Sequence, residues 1–348
     1  MKMLNVGCGS VFHPDWVNAD LTPADPSVMR LDVTEPWPFE AESFDVVYSS
    51  HVLEHLHPDQ ASHFLSEARR VLRPGGTIRL AVPDLERIAQ AYLRALAEVR
   101  RRRDAITEAN YDWMVLELLD QMVRQRSGGM MAEFLCRPDL PNESFILERI
   151  GMEAQPYFEE KRLFREVMDH IEKYRRNRLL AVFGAGSLGK RVANRLKESG
   201  YRIDFFVDND TGKHGRDLDG FPILAPSRAN EAFIVVASTW ADQIRRQLIE
   251  AGRKEWEDFV CISRLGGPAG ESGPSRAPSL QGELHRWMYD SFSLARLLEK
   301  HGFEQIAECT AFTSRIPHFE TYQLDTLDGK IRKPDSLFME ASKAHLPP

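Results

Sequence analysis

An α/β fold built on two parallel, doubly wound sheets is what this chain of 348 residues predicts, and three observations carry that prediction. Short runs rich in Val, Ile and Leu alternate with helix-spaced runs in two separate stretches, as parallel sheets with crossover helices require. Each stretch opens on a glycine-rich turn, LNVGCGS (Leu4 to Ser10) in the first and VFGAGSLGKRVANRL (Val182 to Leu196) in the second. Each turn is followed by an apolar run with an acid at its end: Asp20 in WVNADL and Asp208 in RIDFFVDND. Such glycines let a backbone come close to a nucleotide or nucleoside, and the acid that follows is placed to hold ribose hydroxyls. Two nucleoside-type sites are therefore expected in one chain.

Up to Asp84 the sequence supplies five strands: MLNVGC, WVNADL, VMRLDV, FDVVYSS and TIRLAVPD. Between the fourth and fifth, Ala61, Phe64, Leu65, Ala68 and Leu72 recur at helical spacing, and Pro74-Gly75-Gly76 is expected to end that helix. From Leu85 to Ile150 the pattern is helical throughout, with Tyr111, Trp113, Leu116, Leu119 and Met122 as one buried stripe, so residues 85–150 read as a helical cap. A charged helix from Glu159 to Arg176 leads into the second series, LLAVFGAG, KRVANRLKESG, RIDFFVDND, FIVVAST, QIRRQLIEAG and FVCI, which ends near Ile262. The Gly, Pro and Ser of residues 266–279 cannot bury enough apolar surface to order themselves and predict a flexible linker. After it come a helix, SFSLARLLEKHG, stopped by Gly302, and two strands, FEQIAECTAF and SLFMEASK. One helix and two strands seldom enclose a core, whereas the opening sheet has an edge to cover. The expected organisation is a domain of residues 1–157 plus 280–346, with a second α/β domain, 158–265, inserted into it.

Composition fits this reading and narrows the function. With 43% hydrophobic and 28% charged residues, the chain can bury two separate cores. A formal net charge of -7 argues against a nucleic-acid binder, and Arg100 to Arg103 lies in helical sequence where a solvated face explains it. Four cysteines (Cys8, Cys136, Cys261, Cys309) stand far apart, which suits reduced thiols and a cytoplasmic location. The chain enters a strand at once and has no apolar run of the ~20 residues that span a bilayer, so neither a signal peptide nor membrane insertion is expected.

LNVGCGS, Asp20, LDVTEPWPF, FDVVYSSHVLEHL and VLRPGGTIRLAVPDL together resemble the type 11 group of class I S-adenosylmethionine-dependent methyltransferases, whose sheet is Rossmann-like. HRWMYDSFSLARLLEKHGF (His285 to Phe303) and RKPDSLFMEA (Arg332 to Ala341) look like the same family's ending. The resemblance implies that Gly7 and Gly9 admit the methionine portion of the cofactor and that Asp20 accepts both ribose hydroxyls. It implies that Asp32, with Val33 beside it, meets the adenine, and that Ser49 and His51 face the amino-acid end and the methyl group. For each carboxylate, a helix cap or a surface charge is the competing reading. Two departures stand out: Asn5 occupies a position that is usually acidic in the family, and Val11 one that is usually a third glycine. Only a short HPDW segment joins the first two strands, in place of a helix.

Methyl transfer to a hydroxyl needs an in-line approach, a dry pocket and a base. His51 is the candidate base, because an imidazole titrates near neutrality. His285 and Tyr289 could reach an acceptor from the returning segment, or simply pack a helix start. HVLEHLH also has the H-x-x-E-H spacing of a zinc-protease motif. It follows directly from a strand and has no downstream acidic helix, so no metal is expected, although a weaker metal role for Glu54 and His55 stays open.

Gly184, Gly186, Gly189 and Asp208 match a dinucleotide fingerprint. That stretch lacks a Tyr-x-x-x-Lys pair and a His with a carboxylate partner, and it spans half a dinucleotide fold. It resembles the small Rossmann-like domains attached to sugar-modifying methyltransferases and acyltransferases, which implies nucleotide or nucleotide-sugar binding or a structural role, with Lys190 and Lys213 available to phosphate. Three readings follow: a methyltransferase for a small-molecule or saccharide-linked acceptor, with O-methylation expected; an NAD(P)-dependent oxidoreductase or epimerase; or a non-enzymatic nucleotide-binding module. No motif fixes the acceptor or the oligomeric state.

Overall fold

The computed structural model describes residues 1–137, 139–262 and 282–344. The expected linker 266–279 lies outside the described residues. The chain divides into two compact units, Met1–Gln155 with Pro274–Pro348, and Pro156–Gly273.

The first unit begins β1 (Met3–Val6), β2 (Val17–Asp20), β3 (Met29–Arg30), β4 (Phe44–Ser50), α1 (Pro58–Val71) and β5 (Leu72–Pro83). The helices α2 (Leu85–Arg101), α3 (Ala105–Val123), α4 (Gly129–Leu135) and α5 (Glu143–Ile150) follow. The second unit holds α6 (Gln155–Tyr174), β6 (Leu180–Phe183), α7 (Ser187–Glu198), β7 (Phe205–Val207), β8 (Asp217–Leu218), β9 (Phe221–Leu224), β10 (Phe233–Val236), α8 (Ala241–Glu250) and β11 (Phe259–Cys261). The chain returns to the first unit with α9 (Ser291–Lys300), β12 (Phe303–Cys309), β13 (Thr326–Leu327), β14 (Lys330–Ile331) and β15 (Ser336–Lys343).

The first sheet runs β12-β15-β5-β4-β1-β2-β3. Strands β1 to β5 are parallel, and β15 lies between β5 and β12, antiparallel to both. The order reverses between β1 and β4, because β2 leads outward on one side and β5 on the other; ligands of open parallel sheets bind at such a crevice. Its core packs Leu4, Val6 and Val47 against Phe64, Leu65 and Ala68 of α1 and Leu294 and Leu298 of α9. The second sheet runs β11-β10-β6-β7-β9-β8, parallel except for β8, and reverses between β6 and β10. Helix α7 packs Val192, Ala193 and Leu196 on one of its faces, and α8 packs Ile244 and Leu248 on the other.

Three local expectations differ from the structure. Helix α1 ends at Val71, and Pro74-Gly75-Gly76 lies inside β5, since Leu72 is already extended at ψ 140°. The third strand pairs over only Met29 and Arg30, which leaves Asp32 beyond its end. The buried face of α3 carries Trp113, Met114, Glu117 and Asp120, while Leu119 and Met122 are exposed. Glu117 and Asp120 can be buried because Arg149 and Arg124 pair with them at 2.5 and 2.8 Å. No helix among the described residues is long and apolar enough to cross a membrane.

Candidate active site

The turn after β1 is shaped by two glycines with left-handed backbones, Gly7 at φ +69° and Gly9 at φ +52°. A side chain on Gly7 would stand 2.2 Å from Val52 Cγ2, so glycine is needed for the turn to meet the segment behind β4. A side chain on Gly9 would meet nothing within 4 Å, leaving that face open. Asp20, at the end of β2, accepts from Gly9 N–H at 2.8 Å through Oδ2 and from Thr22 N–H at 2.9 Å through Oδ1. A carboxylate has about four lone-pair sites, so Asp20 braces the turn and keeps capacity for two hydroxyls. Asn5 is buried; its amide donates to Val11 O at 3.1 Å and to Asn18 Oδ1 at 3.2 Å, which ties the turn to β2 without a charge.

A cavity of about 440 Å³ opens beyond the carboxyl ends of β1 and β4. Gly7, Gly9, Val11, Ser50 and His51 line it, together with Glu153, Asp325, Arg332, Lys333 and Ser336. Asp325 is fixed there by Tyr48 O–H at 2.6 Å and by the fully buried Arg79, which also pairs with Glu340 at 2.7 Å. Lys333 pairs with Glu153 at 2.6 Å.

His51 stands where β4 ends, with a left-handed backbone at φ +55°, a conformation that a residue with a side chain holds only when its surroundings impose it. Its Nε2 lies 2.8 Å from Ser336 Oγ and its Nδ1 3.1 Å from Glu54 Oε1. Burial and the Lys333 ammonium hold its pKa below the usual imidazole value, against the pull of Glu54. Burial pushes the Glu54 carboxyl up, but His51, His55 and His285 outweigh it and bring the group down to about 2.

Of the residues the sequence singled out, Gly7, Gly9 and His51 line the cavity, and Asp20 braces its turn. Ser49 does not face it. Its hydroxyl is buried against Val6 O at 2.9 Å, and strand alternation gives the cavity to Ser50 instead. Asp32 is exposed and accepts from Thr34 N–H and Oγ1 at 3.0 and 2.7 Å, which lowers its pKa within its own turn. Val33 packs on the first core. His285 is not in the cavity wall; it lies buried beside His55, with ring centroids 5.1 Å apart, where burial pushes its pKa down to about 4. Tyr289 is part of the core. The cavity residues the sequence did not reveal include Asp325, Arg332 and Lys333, from the stretch before β15 where no period marks a face, and Ser336, the first residue of β15. RKPDS was the one visible signal there.

In the second unit, Gly184 has φ +123°, and its Cβ would lie 2.2 Å from Ala237 O. A Cβ on Gly189 would lie 1.7 Å from Gly184 O, so glycine lets α7 rest on the strand, while Gly186 caps α7 with open space beside it. Asp208 accepts from Ala185 N–H at 2.8 Å and pairs with Lys213 at 2.9 Å.

Residues 4–80 match the family described as a methyltransferase domain. The first unit carries a class I S-adenosylmethionine-dependent methyltransferase domain. Residues 176–257 match the family described as C2185-like, N-terminal. Among solved structures, the CurJ carbon methyltransferase is 19% identical over 24% of this chain and 29% of its own, with a TM-score of 0.21. A methyltransferase from Mesorhizobium loti is 18% identical over 24% of this chain and 46% of its own, with a TM-score of 0.19. The CalH trans-methyltransferase in complex with SAH is 23% identical over 24% of this chain and 32% of its own, with a TM-score of 0.20. The alignment thus spans less than half of each of these proteins. No curated protein matches the chain. The glycine turn and the braced Asp20 fit the cofactor of a methyltransferase domain; Ser49 and Asp32 fit it less well, since each is committed to a local hydrogen bond.

Proposed function

We propose that the protein methylates a hydroxyl of a small-molecule or saccharide-linked acceptor, with Gly7, Gly9 and Asp20 holding S-adenosylmethionine and His51 acting as the base. When bound, that cofactor supplies a methyl group on a positively charged sulfur. The observation that carries the reading is the strained His51, held in the cavity wall between Ser336 and Glu54. The carboxylate partner assigns the ring proton to Nδ1 and leaves the Nε2 lone pair as the base. His51 Nε2 takes the proton of the acceptor hydroxyl as the oxygen–methyl bond forms, and the imidazolium so produced is stabilised by Glu54. Ser336 Oγ holds Nε2 in place until an acceptor arrives. A depressed imidazole pKa keeps His51 neutral, and so able to act, at physiological pH.

Transfer of a labelled methyl group to a panel of small alcohols and saccharides is the test. His51→Asn is expected to lower turnover about 10²- to 10⁴-fold, the usual contribution of a general base, while S-adenosylhomocysteine still binds. Unchanged turnover in that variant would remove His51 from the mechanism; methyl transfer only to carbon would remove O-methylation.

A second reading concerns the other unit, where the close packing of Gly184 and Gly189 supports nucleotide or nucleotide-sugar binding. Calorimetric titration with NAD and a nucleotide sugar tests it. Heat with NAD and a hydride transfer would favour the oxidoreductase or epimerase reading, and heat without turnover a binding module.

A further inference from the structure

We infer that Glu54, His55 and His285 form a site for one divalent transition-metal ion of the zinc class. This goes beyond methyl transfer and does not depend on it. The ligands come from two parts of the chain, the turn Leu53–His55 behind β4 and the segment ahead of α9. One ligand atom from each residue lies within 4.8 Å of the other two, and Glu54 Oε1 is 3.8 Å from His55 Nε2. A tetrahedral ion with bonds of ~2.0 Å sets its ligand atoms ~3.3 Å apart, so closure asks for shifts of under ~1 Å from each side chain.

A second observation is independent of spacing. Glu54 is fully buried; His51 Nδ1 stands 3.1 Å from its Oε1, while Oε2 has no hydrogen-bond partner among the described residues. One imidazole leaves the carboxylate half satisfied, and a buried carboxylate is strongly unfavourable unless its charge is matched by a cation beside it. An ion held by Glu54 answers that need directly.

The third observation fixes a lone pair. His55 Nδ1 lies 3.1 Å from Leu284 O, and a carbonyl can only accept, so Nδ1 carries the proton and Nε2 is left bare toward Glu54. Metal-binding imidazoles are oriented in this way, by donating their other N–H to a backbone carbonyl. Two imidazole nitrogens with one carboxylate suit zinc, iron or cobalt, whereas magnesium and calcium prefer oxygen throughout. Three protein ligands also leave a coordination position open. The backbone already brings the two segments together: Arg286 N–H and Trp287 N–H donate to Glu54 O at 2.7 and 3.1 Å, and His285 N–H to Gln121 O at 2.9 Å. An ion here would clamp the returning segment to the end of β4.

Tag-free protein, stripped with a chelator and dialysed, can be titrated with zinc and, for spectroscopy, with cobalt. One equivalent is expected to bind, with the strong visible absorption of four-coordinate cobalt and a Tm that rises with free zinc. His285→Ala and Glu54→Gln are each expected to weaken binding by more than about 100-fold, beyond the 10- to 100-fold that loss of an outer hydrogen bond costs. Glu54→Gln keeps the side-chain volume and serves as the test if His285→Ala does not fold. Absence of stoichiometric uptake by the wild type, or undiminished affinity in the folded variants, would overturn the site and leave a proton or a charged His51 as the partner of Glu54.

Discussion

The two glycine turns use the same brace and differ in what stands behind them. Asp20 Oδ2 accepts from Gly9 N–H and Asp208 Oδ2 from Ala185 N–H, both at 2.8 Å. After Gly186 the chain enters α7, twelve residues long; after Gly9 it runs without a helix to β2. A helix N-terminus offers free N–H groups and about half a positive charge, which is what a phosphate seeks. The first turn has no such terminus and suits a nucleoside without phosphate, as S-adenosylmethionine is. The second has such a terminus, as the nucleotide or nucleotide sugar proposed for it would require. Val11 follows from the same contrast. A third glycine is needed where a helix must rest on a strand, as Gly189 rests on Gly184; with no helix behind the first turn, Val11 instead packs with Met3, Trp16 and Tyr48.

Substitution of the glycines should break the comparison most visibly. Gly189→Ala places a Cβ 1.7 Å from a backbone oxygen and is expected to cost about 3 kcal/mol, at the upper end for overpacking. Gly9→Ala meets only open space, and its left-handed backbone should cost about 1 kcal/mol. Denaturant unfolding of the two variants measures this, and equal losses would mean that α7 does not need its glycine.

The acids should come next. Asp20→Ala is expected to weaken S-adenosylhomocysteine about 100-fold, as loss of two charge-assisted hydrogen bonds implies, and to leave nucleotide binding alone. Asp208→Ala should do the reverse. If Asp208→Ala alone abolished S-adenosylhomocysteine binding, the assignment of the cofactor to the first turn would fail.

How far these sites were legible depends on how local their causes are. Turn glycines, the acid after the next strand and SLFMEASK as β15 were legible because each is fixed by neighbours in sequence. The choice between Ser49 and Ser50 was not, since β4 is largely buried on both faces and shows no polar alternation. The face of α3 differs from the apolar stripe its sequence predicts because Arg149 and Arg124 make buried places for Glu117 and Asp120, and nothing within the helix announces those partners. The grouping of His285 with Glu54 and His55 depends on the fold bringing together residues far apart in the chain.

The smallest expected effect separates the two braces by charge. Burial pushes the Asp208 carboxyl up, but N–H groups of Asp210 and Ala185 and the Lys213 ammonium outweigh it, so its pKa lies below the ordinary 3.8. A carboxyl depressed by folding adds stability at pH values above 3.8 and loses it as pH falls through the lower folded value. Lys213→Met removes one of those supports and should move acid unfolding of the second unit slightly toward neutral pH, with no change at pH 7 beyond the modest worth of an exposed pair. The same variant leaves Asp208 with its backbone donors only, which is the state of Asp20 with Gly9 and Thr22. If Lys213 serves phosphate as well as Asp208, the variant should weaken a nucleotide sugar while leaving S-adenosylhomocysteine untouched. Calorimetry with both ligands decides whether the ammonium belongs to the brace alone.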